Sequence, residues 1–89
     1  MLSEEEIEAA LATVAWDREG SDLVRTMTVG DFAGALALVN RIGALAESLD
    51  HHPDILIRWN RVTLRVTTHS AGALTEADFE LARAVDALA

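Results

Sequence analysis

The chain has 89 residues, 15 of them acidic and 7 basic, and its formal charge of −8 argues against nucleic-acid backbones and anionic membranes as direct ligands. It contains no cysteine, which removes disulfides, thiolate zinc sites and cysteine nucleophiles from consideration. With 51% of its residues apolar, it is long enough for one domain, residues 1–89, and small enough that self-association is an expected source of stability.

The opening Met1-Leu2-Ser3-Glu4-Glu5-Glu6 is acidic where a signal peptide has a basic start, and no segment reaches the roughly 20 apolar residues of a membrane helix, so a cytoplasmic, membrane-free protein is expected. Ser3 and Glu6 form a capping-box pattern with Leu2 and Ile7 at the staple positions, which predicts a first helix with Ile7, Ala10, Leu11 and Val14 inward. Trp16 to Val29, interrupted by Gly20-Ser21-Asp22, then alternates as a hairpin, with Arg25 intruding on an otherwise apolar face. Asp31 caps a second helix from Phe32 to about Leu49. Its apolar residues fall on two stripes, one through Phe32, Leu36 and Val39 and the other through Ala35, Leu38, Ile42, Leu45 and Leu49, wider than one sheet face needs.

Pro53 biases His52 away from helical geometry, so Asp50-His51-His52-Pro53 is a loop. Ile55 to Trp59 and Val62 to Thr68 read as a second hairpin around Asn60-Arg61. Thr75 and Asp78, flanked by Leu74 and Phe79, start a last helix with Ala82, Val85 and Leu88 inward. The expected fold is α+β, α-ββα-ββα, a four-stranded antiparallel sheet with the helices packed on one face.

All three histidines lie between positions 51 and 69, and imidazole is the side chain best suited to moving protons near neutral pH. If pairing persists to the end of the last strand, His69 falls on the polar face with Thr63, Arg65 and Thr67, and can meet His51 and His52 leaving the helix end. Glu47, one turn before His51, is either a solvated helix residue or a partner that orients the imidazole. Asp78 is explained by helix capping alone, though a second role is compatible with it. Trp16 and Trp59 read as core and sheet cover respectively, with ligand stacking the alternative for Trp59. Adjacent histidines point apart in extended backbone and no His-x-His spacing occurs, so a metal site ranks well behind proton transfer.

These residues resemble the pterin-4a-carbinolamine dehydratase family. The likeness runs through Glu47, His51-His52-Pro53, Trp59, His69 and Asp78 at the family's spacing, with Trp16, Asp31-Phe32, Asn60, Val62, Thr68 and Leu74 also in place, and it covers nearly the whole chain. It implies a hydro-lyase that dehydrates a 4a-hydroxytetrahydropterin to the quinonoid dihydropterin in tetrahydrobiopterin recycling, with no metal or organic cofactor. By resemblance His51 and His69 do acid-base work, His52 binds substrate with a share in catalysis, and Glu47 and Asp78 support them. The pterin is expected against Asp50, His51, His52 and Pro53 on one side and Thr68, His69, Ser70 and Ala71 on the other. The resemblance also implies a homodimer joined sheet edge to sheet edge, or a homotetramer joined through helices. The alternative is a non-catalytic dimerisation or assembly factor, as found among relatives. One departure is Ala73, where members usually have glycine before the leucine; here Gly72 comes one residue earlier.

Overall fold

The computed structural model describes residues 1–89 and orders the elements as α1 (Glu4–Leu11), β1 (Asp17–Glu19), β2 (Asp22–Thr28), α2 (Phe32–Leu49), β3 (Asp54–Arg58), β4 (Arg61–Val66) and α3 (Glu76–Asp86). Each helix starts at its expected cap. Ser3 Oγ accepts from the Glu6 amide at 3.1 Å while Glu6 Oε1 accepts from the Ser3 amide at 2.9 Å. At α2, Asp31 Oδ1 accepts from the Gly34 amide at 2.8 Å.

The four strands form one antiparallel sheet in the order β1-β2-β4-β3. Strand parity puts Leu23 and Met27 of β2 and Val62, Leu64 and Val66 of β4 on one face, where they are buried with Ala35, Leu38, Ile42 and Ala46 of α2 and Phe79, Ala82 and Val85 of α3. By length and composition α2 could cross a membrane, but its inner stripe belongs to this core. Phe32 and Leu36 on its other stripe are exposed. Arg25, the intruder on the apolar face, is tolerated because Asp86 accepts a hydrogen bond from its guanidinium and another from Trp16 Nε1. Trp16 is buried, as expected.

The second hairpin differs from its expected boundaries. Its turn is Trp59-Asn60, one residue earlier than Asn60-Arg61, because Arg58 pairs with Arg61 and Trp59 adopts a left-handed φ of 50°. Asn60 ties the turn to the end of β2: its carbonyl accepts from the Val29 amide and its side-chain amide donates to the Val29 carbonyl. Trp59 therefore projects from a turn, 66% exposed, and does not cover the sheet.

Strand β4 stops at Val66, opposite Leu23, because β2 begins only at Asp22 and offers little beyond. Thr67 instead donates its hydroxyl to the Ser21 carbonyl. The parity argument for His69 consequently lapses, and His69 lies in a turn between Thr68 and Ala73, closed by an isolated bridge between those two. In that turn Gly72 supplies the left-handed conformation, φ 63°, so Ala73 needs no glycine freedom.

Candidate active site

The end of α2 separates the two adjacent histidines. Asp50 closes the helix with φ 50°, a left-handed conformation that short polar side chains tolerate, and the amides of His51 and Asp50 donate to the carbonyls of Ala46 and Glu47 at 3.1 and 3.2 Å, a Schellman pattern. The reversal turns His51 toward the start of α3, where its Nε2 lies 2.6 Å from Asp78 Oδ1. His52 remains exposed on the flank of α2, with Nε2 hydrogen-bonded to Glu47 Oε2. Helical spacing suggested Glu47 as a partner of His51; the left-handed residue between them carries His51 away and brings His52 to Glu47 instead.

Asp78 is the one fully buried charged residue of the chain. A buried carboxylate is tolerated only when its lone pairs are filled. Its Oδ2 accepts from the Thr75 amide and from Thr68 Oγ1, each at 2.8 Å, while Oδ1 faces His51. Thr68 Oγ1 in turn lies 2.8 Å from Thr75 Oγ1. The turn from Thr68 to Ala73 is held by the Ala71 and Gly72 amides donating to the Thr68 carbonyl at 3.0 Å, and it carries His69 on its surface. The His69 ring is exposed and makes no hydrogen bond within the protein.

Asp50, His51, His52, Thr67, Thr68, His69 and Ser70 together line an open cleft of about 230 Å³ with no hydrophobic residue in its wall. Six of the eight residues expected to contact substrate are thus brought together, whereas Pro53 and Ala71 do not line the cleft. Glu47 and Asp78 stand outside its wall, each reaching it through a histidine. Sequence reasoning missed Thr67 and Thr75. Thr67 shares the polar face with His69, which is the signal that could have found it, and Thr75 is explained in the sequence by helix capping alone. A larger groove of about 470 Å³ runs beside β2 between Arg25, Leu38, Arg41 and Leu88, but it contains no histidine and no carboxylate side chain.

The chemistry available in the smaller cleft is proton transfer by imidazoles that differ in environment. His51 is half-buried and backed by a carboxylate, His52 is exposed beside another, and His69 is free. Comparison with known proteins bears on the substrate. Residues 1–88 match the family model described as pterin 4 alpha carbinolamine dehydratase. A Nocardia farcinica protein named as a pterin-4-alpha-carbinolamine dehydratase is 48% identical over 100% of this chain and 95% of its own length. A Chloroflexus aurantiacus protein of the same name is 51% identical over 96% and 92% respectively. The crystal structure of a transcriptional coactivator/pterin dehydratase from Brucella melitensis superposes with a TM-score of 0.93 at 33% identity, covering 99% of this chain and 97% of that one. A pterin dehydratase-like RuBisCO assembly factor of the alpha-carboxysome, at 24% identity and TM-score 0.68 over 84% and 87%, shares the fold.

Proposed function

The chain belongs to the pterin-4a-carbinolamine dehydratase family, and from that premise we propose that the polar cleft dehydrates a 4a-hydroxytetrahydropterin. The single observation that carries the reading is the meeting of His51, His52 and His69 in one cleft, from the end of a helix and a turn 16 or more residues further on. In the reaction the C4a–O bond breaks and the hydroxyl leaves as water with a proton from an acid. The proton on the adjacent ring nitrogen passes to a base, and its electron pair forms the new C=N bond of the quinonoid dihydropterin. Two imidazoles lining one cleft suit that exchange, one in each role.

His51 and His69 take the acid-base roles in this reading. His52, with Glu47 behind it, holds the pterin, Asp50 and Ser70 supply polar contacts to the ring, and Thr68 lines the same cleft with its hydroxyl given to Asp78. Asp78 supports His51 from the protein interior. The reaction needs no metal or organic cofactor, since both protons move between side chains and substrate.

Self-association is part of the same reading and is supported by surfaces left open in one copy. Strand β1 covers β2 only as far as Val24, and the outer side of β3 has no partner strand. Phe32 and Leu36 expose an apolar stripe of α2. A homodimer through a sheet edge, with a homotetramer through α2, would cover them. The expected location is cytoplasmic.

The test is stopped-flow absorbance with synthetic 4a-hydroxytetrahydropterin. Micromolar protein is expected to speed its decay over the buffer rate, and loss of that acceleration in His51→Ala and His69→Ala would tie it to the cleft. An unaltered decay rate with the wild-type chain would sink the reading.

A further inference from the structure

Two donors, the Thr75 amide and the Thr68 hydroxyl, converge on Asp78 beside the His51 ring, and the direction of their bonds constrains His51. An ionised carboxylate can only accept, so Thr68 gives its single hydroxyl hydrogen to Asp78 Oδ2 and must accept, through its own oxygen, from Thr75 Oγ1. The Thr75 amide also donates to Oδ2. The chain Thr75 hydroxyl to Thr68 hydroxyl to carboxylate therefore runs in one direction, and nothing in it has a hydrogen left to offer His51 Nε2. The contact of 2.6 Å at Oδ1 is then an N–H donated by His51. The other ring nitrogen, Nδ1, has no hydrogen-bond partner in the protein, and no buried side-chain nitrogen or oxygen lacks one, so Nδ1 is open to solvent on a residue that lines the cleft.

We infer that Thr68, backed by Thr75, is a positioning residue that orients the Asp78 carboxylate so that neutral His51 is held as its Nε2–H tautomer, with the Nδ1 lone pair directed at the substrate. Neutral His51 then enters the cycle as a proton acceptor at Nδ1, and becomes a donor only after it has taken a proton there. The kinetic part of this inference rests on the dehydratase reading; the tautomer part does not. Removing the Thr68 hydroxyl frees one lone pair of Oδ2 and lets the carboxylate rotate, which loosens its hold on the imidazole. Thr75 does not line the cleft, so any effect of its hydroxyl on turnover has to pass through Thr68 and Asp78.

Long-range proton–nitrogen NMR of the full chain labelled with nitrogen-15 reads the tautomer directly. At mildly alkaline pH, wild-type His51 is expected to show a pyrrole-type Nε2 and a pyridine-type Nδ1. Thr68→Val is expected to move both signals toward the average of the two tautomers and to lower kcat about tenfold with little change in KM. Thr68→Ser should restore signals and turnover, and Thr75→Val should reproduce the change in smaller degree. A wild-type His51 protonated at Nδ1 would overturn the inference without any variant having to fold. So would a Thr68→Val protein that keeps the wild-type pattern, whether KM rises or not, or one whose tautomer averages while kcat stays the same. A chain that does not accelerate pterin decay but shows the expected His51 pattern would defeat the dehydratase reading and leave the tautomer assignment standing.

Discussion

Helices α1 and α3 begin with the same four-residue grammar, Ser3-x-x-Glu6 and Thr75-x-x-Asp78, yet the two acidic residues end in opposite circumstances. Glu6 caps its helix in water, where its second oxygen is served by solvent. Asp78 caps its helix at zero exposure, where no solvent is available. Its remaining lone pairs had to be filled from the protein, and the groups that fill them are Thr68 and His51. A local motif thus acquires a second task when burial takes away the water that would otherwise complete it.

Substitution at the two sites should separate the tasks. Asp78→Ala leaves the Thr75 amide, the Thr68 hydroxyl and the His51 ring without their acceptor, and is expected to destabilise the fold by about 3 kcal/mol in urea titration. In the pterin decay assay the same variant should lose about 100-fold or more in kcat/KM. Equal activity in Asp78→Ala and wild type would reduce Asp78 to a cap like Glu6. His69→Ala sharpens the contrast from the other side of the cleft. Its ring is exposed and unbonded, so stability should hold within about 0.5 kcal/mol while kcat falls about 100-fold.

Ser3→Ala should cost α1 about 1 kcal/mol, visible as a lowered urea midpoint, with kcat/KM unchanged because no residue of α1 touches the cleft. The smallest effect is expected from acid. The Arg18 guanidinium hydrogen-bonded to Glu4, together with its charge, holds that carboxyl below the ordinary 4.5, and the Ser3 amide followed by the Ser3 hydroxyl does the same for Glu6. Both groups bind a proton less readily folded than unfolded, so their contribution is complete above 4.5 and drains away as pH falls through the lowered values. Hydrogen exchange at α1 amides should quicken in that window, modestly and less so at high salt, since these carboxylates are fully exposed.

Most of the fold was legible in the chain because its signals are local. Asp31, Thr75 and Ser3 mark helix starts, Gly20 marks the first turn, and the alternation from Leu23 and from Val62 marks the paired strands. The misplaced boundaries have nonlocal causes: β4 stops one residue short of the start of β2, where Thr67 turns its hydroxyl to the Ser21 carbonyl, and the Trp59-Asn60 turn is tied by bonds to Val29. At the site, the spacing of His51, His52 and His69 pointed to the cleft, but the pairing of Glu47 with His52 required the left-handed backbone of Asp50. Aspartate tolerates that backbone, but it is equally at home in an ordinary helix end, so the residue type alone does not specify the left-handed turn.

The order of residues alone thus yields an inventory: three helices, two hairpins, three imidazoles and two carboxylates within reach of them. Which carboxylate is buried, and with it which histidine is held from behind and which is left free, is settled by packing in three dimensions. The physical reason is that hydrogen-bond partners of a buried charge are chosen by what surrounds it in space, here Thr68 and His51, ten and 27 residues away along the chain.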